Sequence, residues 1–283
     1  MRTSPEFMTP VDCHRENPSG RDRMRVGAEL AVAGGVVYII SLLATVYFCL
    51  SMSGGMDMPG DWTMSMMWMR MPGQTWLESA AMFLLMWVAM MVAMMLPSAL
   101  PMLLSFRRSL GEQRDARADV STALAACGYF TVWTAIGVGV YVVGVLWAFA
   151  TMRWTDLSRA VPCLTGVALV LAGAFQFSRW KMAGLGHCQN THVRSTYARR
   201  EGVLAGWTYG FRQGLFCGTC CSGLMTVLLV LGTMNPLVML MVAIVISLEK
   251  LLPKSQTVVR FTGIVAVCSG IAIVLRSLFQ FVS

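Results

Sequence analysis

Seven long apolar segments dominate this chain of 283 residues. A helix needs about 20 residues to cross a hydrocarbon core of about 30 Å. Runs of that kind occur at 28–50, 79–104, 121–149, 160–178, 214–233, 235–250 and 258–281, the sixth being the shortest. Hydrophobic residues make up 56% of the chain and charged residues 13%, which excludes a water-soluble globular domain. The sequence therefore predicts an all-α, polytopic transmembrane helical bundle of about seven spans.

The distribution of Lys and Arg predicts how these spans are oriented. The chain has 22 such residues, and most lie in the N-terminal tail and in every second connection. The positive-inside rule places those segments in the cytoplasm. Only a few cations fall on the opposite side: Arg70, Arg153, Arg159 and Arg276. We therefore predict a cytoplasmic N-terminus, and the formal charge of +8 needs no nucleic-acid partner to explain it.

The extramembrane segments are short, so we expect a cytoplasmic tail at 1–27 and a single membrane domain at 28–283. Within that domain we expect an outer loop at 51–77 and a cytoplasmic loop at 179–202. Prolines in LPSALP and GTMNP predict that helices bend or end there, because proline cannot donate to the helical ladder.

The outer loop is rich in methionine, and the interpretation of this composition is open. Thioethers bind Cu(I) individually weakly and act by number, so the loop is a candidate for metal capture. A disordered loop and a lipid-surface contact are the alternatives. The methionines are Met52, Met56, Met58, Met64, Met66, Met67, Met69 and Met71.

Three cysteines fall within five positions of the fifth span, in the stretch GLFCGTCCSGLM. On a helix, Cys217, Cys220 and Cys221 share one face, and Met225 continues it. Thiolates and thioethers select Cu(I), and Zn(II) also accepts thiolates. The shared face predicts a soft-metal site, whereas a buried cysteine alone is often an inert small hydrophobe. We expect packing roles for the isolated Cys49, Cys127, Cys163 and Cys268.

The second span carries methionines at spacing four, which makes them neighbours along one face. They are Met82, Met86, Met90 and Met94, with Met91 and Met95 beside them. Because this span runs inward and the fifth runs outward, we expect Met94 and Met95 at nearly the depth of the thiols. The stripe is also consistent with ordinary packing.

A carboxylate, Glu249, lies near the inner end of the sixth span. A charge in a membrane helix is costly and usually faces a partner or a cavity. Its nearest partner in the sequence is Lys250, so Glu249 is either half of a structural ion pair or a polar support of the site.

Several motifs in the same order carry a family resemblance: MWVAMMVAMMLPSALPML, QFSRWKMAGLGHC, FCGTCCSGLM, GTMNP and EKLLP. Together they resemble a bacterial family of predicted metal-binding integral membrane proteins, often labelled copper chaperones. The resemblance extends from about Ser79 to Pro253. It implies a multi-pass protein of the bacterial inner membrane, and it adds His187 and Cys188 to the site. The chain departs from the family pattern at Thr219, Ser222 and Gly184, the last being a position where the pattern has cysteine.

These observations lead to one main hypothesis, an inner-membrane copper-binding protein that receives Cu(I) and passes it to a membrane or periplasmic copper-protein partner. Copper is the expected metal and zinc the second candidate. The expected ligands are Cys217, Cys220, Cys221, Met90, Met94, Met95 and Met225, with His187 and Cys188 at the cytoplasmic mouth. Under this hypothesis the chain is a carrier rather than an enzyme.

Two alternatives remain open at this point. Cys217 and Cys220 form a C-x-x-C pair near a helix start, an arrangement found in thiol-disulfide oxidoreductases. A subunit of a copper-dependent membrane oxygenase is the other alternative. The three histidines lie outside the predicted spans, which excludes bis-His haem ligation and His-box di-iron sites inside the membrane.

Overall fold

The structure is a computed structural model. It describes the chain over residues 20–51, 54–60, 62–70, 73–110, 116–189, 204–232, 235–252 and 255–282. Within these ranges the chain forms eight α-helices and one two-stranded antiparallel sheet. The helices are α1 (Gly20–Ser51), α2 (Trp76–Leu110), α3 (Ala116–Arg153), α4 (Thr155–Gln176), α5 (Arg179–Gln189), α6 (Leu204–Leu231), α7 (Pro236–Leu251) and α8 (Ser255–Val282). The all-α helical bundle predicted from the sequence is confirmed.

Six of the described helices, α1, α2, α3, α4, α6 and α8, are long and apolar enough to cross a membrane. This finding fits a multi-pass membrane protein. The predicted sixth span is the helix α7, which has 16 residues. At 1.5 Å per residue α7 is about 24 Å long, which is shorter than a typical hydrocarbon core. The orientation of the bundle stays a prediction from the charge distribution.

Glycines lie at the contacts of two closely packed helix pairs, α3 with α6 and α4 with α8. On α6, Gly206, Gly210 and Gly214 lie one turn apart and press against the backbone of α3 at Ser121, Ala125 and Tyr129. On α4 and α8, Gly166 lies against Gly270, and Gly173 against Gly263. Small residues at this spacing let two backbones approach within van der Waals contact, which is the common way helices associate in lipid. The α3–α6 pair fixes the height of the cysteine face on α6.

The methionine-rich outer loop contains an ordered hairpin. Strands β1 (Gly55–Met58) and β2 (Trp62–Ser65) pair with Met56 opposite Met64. The indole of Trp62 donates to the carbonyl of Ser158 at 3.0 Å, and the Ser158 hydroxyl donates to the carbonyl of Pro59 at 2.9 Å. The hairpin is therefore attached to the first turn of α4. Met64 and Met67 are buried, whereas Met56 is exposed.

The helix bounds add detail to three segments that the sequence analysis describes. The predicted cytoplasmic loop 179–202 begins as the helix α5, which packs against α6 and α7. The predicted tail 1–27 overlaps α1, which begins at Gly20. Helix α2 does not end at LPSALP but continues through Pro97 and Pro101 to Leu110. By contrast, the break predicted at GTMNP is present, because α7 starts at Pro236 with the Asn235 side chain capping its first turn.

Candidate metal centre

The three thiols of α6 form a compact buried cluster. The Sγ atom of Cys221 lies 3.6 Å from that of Cys220 and 3.9 Å from that of Cys217. All three sulfur atoms lie within 4.8 Å of one another, and each residue is at most 2% exposed. This arrangement follows from the spacing of three and four residues on a helix, which places the side chains on one face.

Cys217 differs from its two neighbours because two strong donors reach its sulfur. The Lys250 ammonium on α7 lies 2.9 Å from Cys217 Sγ, and the Tyr129 hydroxyl on α3 donates to the same atom at 2.8 Å. Hydrogen bonds from a cation are stronger than neutral ones. Both donors stabilise negative charge on this sulfur. Cys220, in contrast, directs its thiol toward the carbonyl of Cys217 at 3.3 Å.

The ammonium of Lys250 has three acceptors, which come from α2 and α6. Besides Cys217, its Nζ atom lies 3.2 Å from the Ser98 hydroxyl and 3.9 Å from the Met95 sulfur. An ammonium has three N–H donors, so this set can satisfy all of them. The predicted ligands Met95 and Cys217 are thereby brought to the same nitrogen atom, as the depth argument from the sequence expected.

The remaining predicted methionines are buried in the same core as the thiols. Met90, Met94 and Met225 are each at most 6% exposed and belong to one cluster with the three cysteines. Met82, at the outer end of the stripe, is instead 41% exposed. The stripe on α2 therefore faces the protein interior from Met86 inward, which adds thioethers to the surroundings of the thiols. A ligand role for these methionines stays a prediction.

The ion pair of Glu249 is formed with Lys181 and not with its nearest lysine in the sequence, Lys250. Glu249 instead accepts from Lys181 of α5 at 2.7 Å and from the Thr262 hydroxyl of α8 at 3.2 Å. Lys181 is fully buried and Glu249 is 3% exposed. Adjacent residues on a helix point about 100° apart, so Glu249 and Lys250 project in different directions. Glu249 joins α7 to α5 through its ion pair and to α8 through its hydrogen bond, whereas Lys250 reaches the thiols.

Helix α5 brings the second resemblance motif to the thiols. A Cβ atom placed on Gly184 would lie 3.3 Å from the Cβ of Cys220 and 3.0 Å from the Thr219 hydroxyl. The position where the family pattern has cysteine therefore adjoins the cluster. His187 and Cys188 lie further along the same helix, and their side chains fall outside the part of the chain that the structure describes. Their predicted role at the cytoplasmic mouth stays a prediction.

Sequence analysis missed the polar residues around the thiols. It names Lys250 only as the nearest sequence partner of Glu249, and it assigns no role to Lys181, Tyr129 or Ser98. A signal did exist for the two lysines, because an unpaired charge beside an apolar run requires a partner in the protein. Helix geometry would also have separated Lys250 from Glu249. We find no sequence signal for Tyr129, since its role depends on how α3 meets α6.

The sulfur spacing can be compared with that of a thiolate-bound metal. Metal–thiolate bonds of about 2.3 Å in a trigonal arrangement place the sulfur atoms about 4 Å apart. The observed separations of 3.6 and 3.9 Å are close to that value. The cluster thus fits a soft metal ion as cargo with small side-chain movements, and it lies inside a helical bundle that fits a multi-pass membrane protein.

The family to which the chain belongs agrees with a membrane protein that has a soft-metal site. Residues 84–273 match the PpoB2 family, whose description is copper chaperone. This match covers more than half of the chain, and the protein belongs to that family. The thiol cluster, Tyr129, Lys181 and Lys250 all lie within the matched residues. No curated protein and no solved structure is significantly similar to the chain.

Proposed function

We propose that this protein is a copper carrier of the bacterial inner membrane. It takes up Cu(I) at the cysteine cluster of α6 and passes the ion by ligand exchange to a membrane or periplasmic copper protein. The observation that carries the proposal is the spacing and burial of the Cys217, Cys220 and Cys221 sulfur atoms. Soft sulfur ligands favour Cu(I) among the abundant metals. Membership of a copper-chaperone family supports the same cargo.

The described methionines suggest a path for the ion between the outer surface and the cluster. Met64 in strand β2 and Met67 just after that strand are buried, and Met86, Met90 and Met94 follow one another along α2. Thioethers hold Cu(I) weakly enough to release it to a stronger neighbour, whereas three thiols hold it tightly. An ion exchanging along this row would move toward the tightest site.

Cysteine variants test the proposal by competition between the purified protein and a Cu(I) chelator. Cys220→Ser and Cys221→Ser should each weaken Cu(I) binding by about a hundredfold or more, at about 1.4 kcal/mol per tenfold. A serine oxygen is a hard ligand and cannot replace a soft thiolate. Cys127→Ser and Cys268→Ser are matched controls, since both cysteines are exposed on other helices. Equal affinities in all four variants, with normal elution in detergent, would contradict the proposal.

Thiol-disulfide exchange is the second candidate, and the donors on Cys217 are the observation that favours it. A thiolate stabilised by a cation is also a good nucleophile. Such an enzyme would form a mixed disulfide with its partner, and Cys220→Ser would trap that species because the resolving thiol is removed. A trapped adduct sensitive to reductant, in a protein that binds no Cu(I), would favour this candidate over copper transport.

A further inference from the structure

The Lys250 ammonium lies beside the thiols of α6. Its contacts join α7 to the sulfur of Cys217, the hydroxyl of Ser98 and the sulfur of Met95. The other lysine of this region, Lys181, is already engaged with Glu249 at 2.7 Å. The Glu249 carboxylate pairs with Lys181, and the thiols of α6 lie beside Lys250 and can balance its charge.

We propose that Lys250 is the counter-cation that makes the thiol site select a monovalent soft ion, Cu(I) or Ag(I), over a divalent one. This inference rests on the proposed function and specifies the charge of the cargo. Lys250 is not itself a metal ligand, because an ammonium donates hydrogen bonds and cannot bind a metal. Its role in the choice of metal therefore does not follow from the chemistry of the sulfur ligands.

The argument follows from the total charge of a buried site. The three cysteines are at most 2% exposed, and a net charge in such surroundings carries a large desolvation cost. A site is neutral when the charges of the metal and of the ammonium together equal the number of thiolates. With Lys250 present, the metal charge that gives a neutral site is therefore lower by one. Whatever the number of thiolates, the ammonium repels a divalent ion about twice as strongly as a monovalent ion at the same position.

The positions of the three sulfurs allow Lys250 to stay in place when the metal binds. The ammonium lies 2.9 Å from Cys217 Sγ, and the sulfur atoms of Cys220 and Cys221 lie 3.6 Å apart on the same face of α6. A metal among the three sulfurs would therefore leave the lysine as a neighbour of the anionic complex. No bond to nitrogen forms, and each thiol that becomes a ligand releases its proton to solvent.

The test compares Ag(I), as an air-stable substitute for Cu(I), with Zn(II) on the full-length protein in detergent, each in competition with a chelator. Lys250→Met and Lys250→Gln remove the charge, and Lys250→Arg retains it. We expect both neutral variants to lower the ratio of Ag(I) to Zn(II) affinity by about tenfold or more, since the loss acts through one unit charge next to the site. The arginine variant should retain a ratio close to that of the native protein.

Arg260→Met is the matched control, because Arg260 is an exposed cation on α8. It should leave the ratio unchanged. Should Lys250→Met elute as an aggregate, Lys250→Gln decides the test, since its amide can still donate to Ser98 and Cys217. If Lys250 had only a structural role, the neutral variants would bind both metals more weakly by the same factor, and the affinity ratio would not change. An unchanged ratio in the neutral variants overturns the inference. A native protein that binds neither metal would instead refute the proposed function itself.

Discussion

The buried ion pair between Lys181 and Glu249 makes a sharp prediction about stability. Their nitrogen and oxygen atoms lie 2.7 Å apart, and the side chains are 0% and 3% exposed. Removing one member of such a pair leaves the other as an uncompensated buried charge, which costs about 3–5 kcal/mol. We therefore expect Lys181→Met and Glu249→Gln each to lower the free energy of unfolding by about that amount.

The double variant should be far less damaging than the two single ones together. With both charges removed, no unpaired charge remains, and the glutamine can still accept from the Thr262 hydroxyl, which lies 3.2 Å from Glu249. Independent effects would add to about 6–10 kcal/mol. We expect the double variant to cost no more than either single variant, so that the coupling energy is several kcal/mol.

The measurement is unfolding of the purified protein in mixed detergent micelles, followed by helical circular dichroism for the native protein and the three variants. The pair formed by Arg107 and Asp119 is the control. Its atoms are 2.8 Å apart and Arg107 is 3% exposed, but Asp119 is 56% exposed. Since water reaches this pair and the asparagine oxygen can still accept from Arg107, Asp119→Asn should cost no more than about 1 kcal/mol. Additive losses in the Lys181 and Glu249 variants would refute the reasoning that the two charges compensate each other.

Two predictions concern glycines near the site. Gly184→Cys should place a fourth sulfur beside Cys220, so mild oxidation should yield an internal disulfide that mass spectrometry detects, and reduction should restore Ag(I) binding. Failure of this disulfide to form would contradict the position of α5. Gly210→Ala should destabilise the fold by about 1–3 kcal/mol or more, because its Cβ would collide with the carbonyl of Ala125, whereas Gly139→Ala, in open space, should not, as thermal unfolding in detergent would show.

Much of the fold was predictable because apolar runs have few possible outcomes in a membrane. Every predicted span corresponds to a helix of the structure, since the backbone in lipid must satisfy its hydrogen bonds within the segment. The helix α5 was missed because it is short and contains Gly184 and Gly186, which are poor helix formers. It is held by packing against α6 and by the ion pair of Lys181, which are tertiary contacts.

The candidate site was predictable only in part. The shared face of Cys217, Cys220 and Cys221 follows from the helical period alone, so the sequence identified the cluster. The donors around it come from three other helices, and their relative heights depend on packing that no local pattern encodes. The prolines in LPSALP do not end α2, which continues past them to Leu110. That continuation keeps Ser98 on the same helix as Met95, within reach of Lys250.

The two charged residues of α7 connect the scaffold to the metal centre. Glu249 is held on α5 and α8 through Lys181 and Thr262, so it fixes the rotation of α7 about its axis. The next residue, Lys250, then projects about 100° away toward Cys217. Lys181 can therefore influence metal binding through the orientation of α7, because a rotation of α7 that breaks the Lys181–Glu249 ion pair also withdraws the Lys250 ammonium from the cluster. A stability defect at Lys181 and a change of metal preference at Lys250 are for this reason two consequences of one helix orientation.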